Sequence, residues 1–238
     1  MKKTALILLL AISAFAAHGQ SADTTSTVVG RKLNFEMPLF GITKSGIKPT
    51  WSAITFEEAS GGVNYMVGVP AGMNTYGYYA EISMVALHYR PWRDSNMFAL
   101  ELVFGASSND LKKGYAFADD GSIAAVPKDW DRSESFYIEQ TMSLQFGYVK
   151  EFGKWKTGVF AVPSCSFIQL GNEYHLQGVS GLRHQDYITT GYLFRMGFKA
   201  GLWYDNLGFS VAYRPSFDKS TSTLPLYEGL QFGVSVRY

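Results

Sequence analysis

The last nine residues, Leu230-Gln231-Phe232-Gly233-Val234-Ser235-Val236-Arg237-Tyr238, alternate between two kinds of side chain. Leu230, Phe232, Val234, Val236 and Tyr238 share one face, and Gln231, Gly233, Ser235 and Arg237 share the other. A two-residue period marks an extended strand with a different environment on each side. In a soluble sheet the greasy face would be core. A transmembrane barrel inverts this, turning apolar residues out to lipid and polar residues in to the lumen. One strand does not choose between the two.

The connections between strands do. Tyr78–Arg90, Met97–Ser107, Ser135–Val149, Trp155–Phe167, Tyr187–Tyr204 and Leu207–Ser216 carry the same alternation before the terminal strand. Tyr187–Tyr204 is the cleanest: Tyr192, Phe194, Met196, Phe198, Ala200, Leu202 and Tyr204 face one way, Arg195, Lys199 and three glycines the other. Short turns (Arg93–Asn96, Lys150–Lys154, Asp205–Asn206) alternate with long polar loops (Ser108–Glu134, Leu170–Asp186, Phe217–Glu228). Soluble sandwiches have no reason for this alternation. Outer-membrane barrels do, because short turns lie on the periplasmic side and long loops outside.

Earlier in the chain the pattern weakens. Trp51–Glu58 is the poorest strand, and Gly61–Gly77 reads as a Gly-rich loop, although Val63, Tyr65, Val67 and Val69 alternate within it. Counting back from a periplasmic C-terminus gives eight strands if Trp51–Glu58 is the first. It gives ten if Lys32–Gly41 and Gly62–Val69 both join. Eight is preferred, because the extra hairpins would be short and broken by Pro and Gly. The expected fold is all-β: a transmembrane antiparallel up-and-down β-barrel over residues 51–238.

The start of the chain says how it would reach a membrane. Lys2 and Lys3 precede an uncharged apolar run, Ala5–Ala17, and Ala17-His18-Gly19 puts small residues where a signal peptidase reads. Residues 1–19 are thus expected to be a signal peptide cleaved after Gly19. Residues 20–50 read as a periplasmic lead-in, Ser/Thr-rich at first, with an extra strand possible over 32–41. No later apolar run is long enough for a spanning helix. Aromatics make up 16% of the chain, and Tyr and Trp favour membrane interfaces. A net charge of +1 gives no electrostatic case for nucleic acid, and the single Cys165 excludes an internal disulfide. The expected location is the bacterial outer membrane, with both termini periplasmic.

The signal-like start, the amphipathic strands and the closing Phe232-x-Val234-x-Val236-x-Tyr238 resemble the small outer-membrane β-barrel families, the PorT-like "outer membrane protein beta-barrel domain" group in particular. The likeness spans roughly Trp51–Tyr238. It implies a barrel in outer-membrane lipid and a terminal strand read by the barrel-insertion machinery through Phe232, Val234, Val236 and Tyr238. It implies no single activity.

Charged residues on the polar faces form the most informative set: Glu101, Glu139, Arg195, Lys199, Arg214 and Arg237, with Gln145. The interior of an eight-stranded barrel is filled by side chains, so charges there must pair. Glu101 and Glu139 are expected to meet Arg195, Lys199 or Arg214 across the lumen. A network that plugs the barrel is weighed against a narrow channel.

Other candidates rest on less. His184 and Asp186 lie where a strand leaves the outer leaflet, and a His near a carboxylate can act as general base in a rim-sited hydrolase of peptide or glycolipid. Asp119, Asp120, Asp129 and Asp131 would complete such a site, and the Asp119/Asp120 loop could hold Ca²⁺, against the ordinary reading of solvated loop acids. Tyr115, Phe117 and Trp130 are candidate partner contacts, or else pack the loop onto the barrel mouth. His88 reads as an interfacial or lumenal histidine. Ser164-Cys165-Ser166 has no histidine placed beside it, and Gly178-Val179-Ser180-Gly181 lacks nucleophile-elbow spacing. No metal-ligand cluster or phosphate loop is present in the sequence, and no cofactor is expected. The favoured expectation is a non-enzymatic outer-membrane barrel that binds an envelope partner or ligand through its outer loops.

Overall fold

The computed structural model describes residues 33–35, 50–91, 96–178, 183–215 and 228–238. The signal-peptide and most of the lead-in expectations therefore lie outside the described residues. The regular elements are strands: β1 (Leu33–Phe35), β2 (Thr50–Thr55), β3 (Glu58–Val67), β4 (Tyr76–Arg90), β5 (Asn96–Asp110), β6 (Tyr115–Phe117), β7 (Ile123–Ala125), β8 (Trp130–Phe152), β9 (Trp155–Leu176), β10 (Arg183–Tyr204), β11 (Leu207–Arg214) and β12 (Glu228–Arg237). Among the described residues no helix is long and apolar enough to cross a membrane.

Eight strands close a ring in the order β3-β4-β5-β8-β9-β10-β11-β12. Every neighbouring pair is antiparallel, and β12 returns to β3 with Arg237 opposite Glu58 and Glu228 opposite Val67. Closure leaves no unpaired edge within the ring. The alternation read from the sequence is the alternation of the wall. Phe198 is 59% exposed and its neighbour Lys199 6%. Along β10 Tyr192, Phe194, Met196 and Leu202 point out, while Leu193, Arg195 and Trp203 are buried in the lumen.

The first barrel strand differs from expectation. β2 and β3 are two halves of one strand laid along β4: Thr50–Thr55 pairs with Arg90–Val85, and Ala59–Tyr65 pairs with Ile82–Tyr76. They are separated by a kink at Phe56, whose φ of 59° lies in the left-handed region. Opposite the kink, Met84 is bulged out of the β4–β5 register, and its carbonyl accepts from the Phe56 N–H. The stretch read as a Gly-rich loop is thus largely strand. Glycine is needed there because a Cβ on Gly62 would collide with the Phe232 carbonyl across the seam.

The ten-strand alternative is overturned in the same region. Among the described residues Leu33–Phe35 pairs only with β2 (Leu33 opposite Ala53, Phe35 opposite Trp51) and lies outside the ring. It follows the line of β12 along the first strand, beyond the point where Tyr238 N–H donates to the Glu57 carbonyl.

Two long loops are shorter than the sequence suggested, because the strands run on. β9 and β10 stay paired from Tyr204/Trp155 up to Arg183/His175, so Leu170–Asp186 is mostly ladder. β5 reaches Asp110 and β8 begins at Trp130. The intervening segment contains the hairpin β6–β7, which folds down onto the mouth at the long-loop end. Phe117 of this hairpin joins Met66, Met73, Leu111, Tyr137, Ile168, Leu170 and Leu193 in one buried cluster. At the opposite end the strands join through short turns at Gly153-Lys154 and Asp205-Asn206. Asp205 adopts φ 58°, a conformation Asp tolerates better than most residues.

Candidate functional site

The lumen is filled in layers, and each layer follows from which residues the pleat turns inward. At the long-loop end lies the apolar cluster around Phe117. The Asn172 side chain holds the hairpin in place: its Oδ1 accepts from the Phe117 N–H at 3.0 Å and its Nδ2 donates to the Phe117 carbonyl at 2.7 Å. Ser135 Oγ donates to the same Oδ1 at 2.7 Å. One amide side chain thus satisfies both backbone groups of a buried hairpin residue.

Below it come two ion pairs. Arg195 faces Glu139 at 3.4 Å, and Arg214 is bonded to Glu81. All four residues are buried. The space among them, bordered also by Asn64 and Gln231, is a cavity of about 10 Å³. That is about room for one water molecule.

The lowest layer is built on Arg237, which is 0% exposed. Its guanidinium meets Glu58 at 2.9 Å, Glu57 at 3.3 Å and Glu101 in a further short ion pair. Lys199 reaches the other oxygen of Glu58 at 2.9 Å. The guanidinium also lies over the rings of Trp203 and Phe160, at 5.1 and 5.3 Å from their centroids. Trp203 is held by its Nε1–H donating to Ser235 Oγ at 2.7 Å. A Cβ on Gly201 would fall within that indole ring, so glycine there makes room for it.

Every expected lumenal charge therefore faces inward, but the pairing differs. Glu139 meets Arg195, whereas Glu101 meets Arg237 rather than Arg195, Lys199 or Arg214. The carboxylates that complete the network, Glu57, Glu58 and Glu81, were missed. Successive strand residues normally face opposite sides. The kink at Phe56 turns both Glu57 and Glu58 inward. The bulge at Met84 changes which residues of β4 face the lumen, from Glu81 and Ser83 before it to Ala86 and His88 after it. Gln145 is fully buried on the inner wall. His88 is lumenal, with Nε2 at 3.6 Å from Glu57.

At the long-loop rim, His184 and Asp186 come to the same side of β10 around Tyr174 of β9. Tyr174 stands opposite His184 in register and stacks with it at 5.5 Å between centroids. Trp130 stacks on Tyr174 in turn, at 3.8 Å and 4° between planes. The Tyr174 hydroxyl is bonded to Asp186. The carboxylate is therefore engaged by a phenol, and no ion pair between His184 and Asp186 is seen among the described residues.

Of the loop aromatics, Phe117 is buried in the plug, Trp130 packs in the ring stack, and Tyr115 remains 38% exposed. Asp119 and Asp120 lie exposed in the β6–β7 turn, where Asp120 accepts from the Ser122 N–H at 2.9 Å, and hydrogen bonds from the Ser122 hydroxyl and then this N–H hold its carboxyl below the usual range. No group of three or more metal-ligating side chains occurs among the described residues. Ser164 and Ser166 face the lumen, and Cys165 between them faces outward. On β12, Phe232 and Val234 are on the outer face, and Tyr238 just beyond the strand is exposed.

No family model matches the chain, and no curated protein does. Among solved structures it is similar to Neisserial surface protein A (NspA), at 14% sequence identity, over 78% of this chain and 99% of that one, with a TM-score of 0.39.

Proposed function

We propose that this chain is an outer-membrane β-barrel of a bacterial envelope, anchored by its wall and acting through its long-loop end as a non-enzymatic partner- or ligand-binding protein. One observation carries the location. The outer face of the ring is a continuous apolar surface, from Phe98, Phe146 and Tyr148 through Val159 and Phe198 to Phe209, Val211 and Phe232, each at least 36% exposed. A soluble monomer rarely exposes a contiguous apolar patch above a few hundred Å². Aromatic residues flank it at both ends: Trp155 and Tyr204 at the short turns, Tyr76, Tyr187 and Tyr192 toward the long loops. On β10 the twelve residue steps from Tyr204 to Tyr192 would rise about 28–30 Å at barrel tilt, near the height of a lipid-facing band. In this reading the short turns and both termini are periplasmic, and the PorT-like group is the family to which the chain would belong.

The filled lumen favours an anchor over a channel, since each layer has charged or bulky side chains at or near zero exposure. The rim favours binding over hydrolysis, because the Asp186 carboxylate already accepts from Tyr174. The test is purification of the tagged protein from membranes in mild detergent, with native mass, heat-modifiable migration and co-purifying proteins read together. The proposal expects a heat-modifiable membrane protein whose partner or ligand is lost on deleting 111–129. Recovery from the soluble periplasm would overturn it.

A further inference from the structure

We infer that Glu57 is a proton-binding site through which the barrel senses pH at its short-turn end. The lowest lumenal layer contains three carboxyl groups, Glu57, Glu58 and Glu101, and two fixed cations, Arg237 and Lys199. All five are buried. Glu58 lies 2.9 Å from each cation, and Glu101 is paired with Arg237. Those two carboxylates match the two cations one for one. An ionised Glu57 would leave the layer with a net negative charge out of water, which is costly, and a proton on Glu57 cancels it.

The hydrogen bonds single out the same residue. Arg237 donates through Nη1 to Glu58 and through Nη2 to Glu101. Its Nε–H faces Glu57 Oε1 at 3.3 Å without a hydrogen bond, and Glu57 Oε2 has no donor among the described residues. A buried carboxylate needs donors on both oxygens, and a neutral carboxyl needs fewer.

The other groups around Glu57 are compatible with this state. His88 of β4 has its Nε2 3.6 Å from Oε1, beyond hydrogen-bond reach, and at that separation in a buried site two neutral groups are favoured over two charges. Lys199 of β10 is taken by Glu58. Arg90 of β4 and Glu151 of β8 neutralise each other in a two-pronged pair at 3.0 and 3.1 Å. Lys156 of β9, half-buried, attracts the Glu57 carboxyl from the facing wall, and Tyr238 lines the same space.

That space is a vestibule of about 310 Å³ whose described lining includes Glu57 and His88 and neither Glu58 nor Glu101. Its rim reaches solvent, since the Arg90 and Glu151 side chains are 30% and 28% exposed. Water at this end therefore exchanges the Glu57 proton first. Once ionised, Glu57 competes for Arg237 with Glu58, the partner of Arg237 across the β12–β3 register. The sign follows by linkage. The folded barrel keeps a proton that an unfolded glutamate releases near pH ~4.3, so this contribution to stability is full below that pH and is lost as Glu57 ionises in the fold. The site lies at the opposite end of the barrel from the long loops and holds whichever partner they bind.

The experiment is a pH titration of the full-length protein in detergent from about pH 5 to 10, read by infrared difference spectroscopy and by denaturant unfolding. The wild type should show the carbonyl stretch of a protonated carboxyl at neutral pH and lose it at alkaline pH. Its unfolding equilibrium constant should rise about tenfold over the same range. Glu57→Gln should remove that band and flatten the pH dependence. Glu101→Gln takes away one matched carboxylate, so Glu57 should ionise in its place and the band should already be missing at neutral pH. Should Glu57→Gln not reach the heat-modifiable form, the wild type and Glu101→Gln still decide. A wild type with no titrating carboxyl band, a band of unchanged intensity in either variant, or equal pH slopes in wild type and Glu57→Gln would overturn the inference.

Discussion

Arg237 and Glu58 stand directly opposite each other in the β12–β3 register, and their side chains meet inside the barrel at 2.9 Å. The last strand is thus joined to the first both by its ladder and by a buried ion pair at the seam. Glu57 and Glu101 lean on the same guanidinium, so three carboxylates share Arg237, and Glu58 alone of them also meets Lys199.

Replacing Arg237 by Met should therefore destabilise the barrel by about 3–5 kcal/mol, the range for leaving buried charge without its partner. Denaturant unfolding in lipid or detergent, followed by loss of heat-modifiable migration, would measure it. In a double-mutant cycle, adding Glu58→Gln should cost less than in the wild-type background, because the two changes share one interaction. A strictly additive result would contradict the seam pair.

The hairpin plug rests on Asn172. Asn172→Ala would strand the buried Phe117 N–H and carbonyl, at a cost of about 1–3 kcal/mol for each group left unmade. Limited proteolysis within 111–129 should then accelerate about tenfold or more, while the unfolding midpoint of the barrel stays close to wild type. Unchanged cleavage would show that the hairpin is held by Phe117 packing alone.

The outer wall gives a depth-dependent prediction. Phe198 lies midway along β10 between Tyr192 and Tyr204 and is 59% exposed. Phe198→Arg should cost about 2–4 kcal/mol in bilayers, against about 0–1 for Leu207→Arg at the short-turn end. Equal costs at the two positions would mean that no lipid gradient acts on this face.

Much of this wall was legible in the chain itself. From Tyr192 to Tyr204, and from Leu230 to Tyr238, each residue faces the side its parity dictates, because these ladders run without a bulge. The first strand was not legible for a physical reason. The left-handed kink at Phe56 turns Glu57 inward beside Glu58, and the bulge at Met84 shifts the inward set of β4 by one residue, hiding Glu57 and Glu81 from any count by twos. Gly61 and Gly62 lowered the strand signal further, although the tight seam with Phe232 requires a glycine. The hairpin was invisible because its strands are three residues each, too short for periodicity to register. Of the candidate site residues, the inward charges were readable from parity alone. Their pairing was not, since it depends on strand stagger around the closed ring.

The most direct test of the account uses the only cysteine in the chain. Cys165 lies on the outer face of β9, exposed, with Met142 and Phe194 as its neighbours on the flanking strands. A nitroxide attached to Cys165 in the protein reconstituted into bilayers should collide readily with oxygen, which partitions into lipid, and poorly with a water-soluble nickel chelate. The reverse order of accessibility would place this face in water and contradict the membrane barrel.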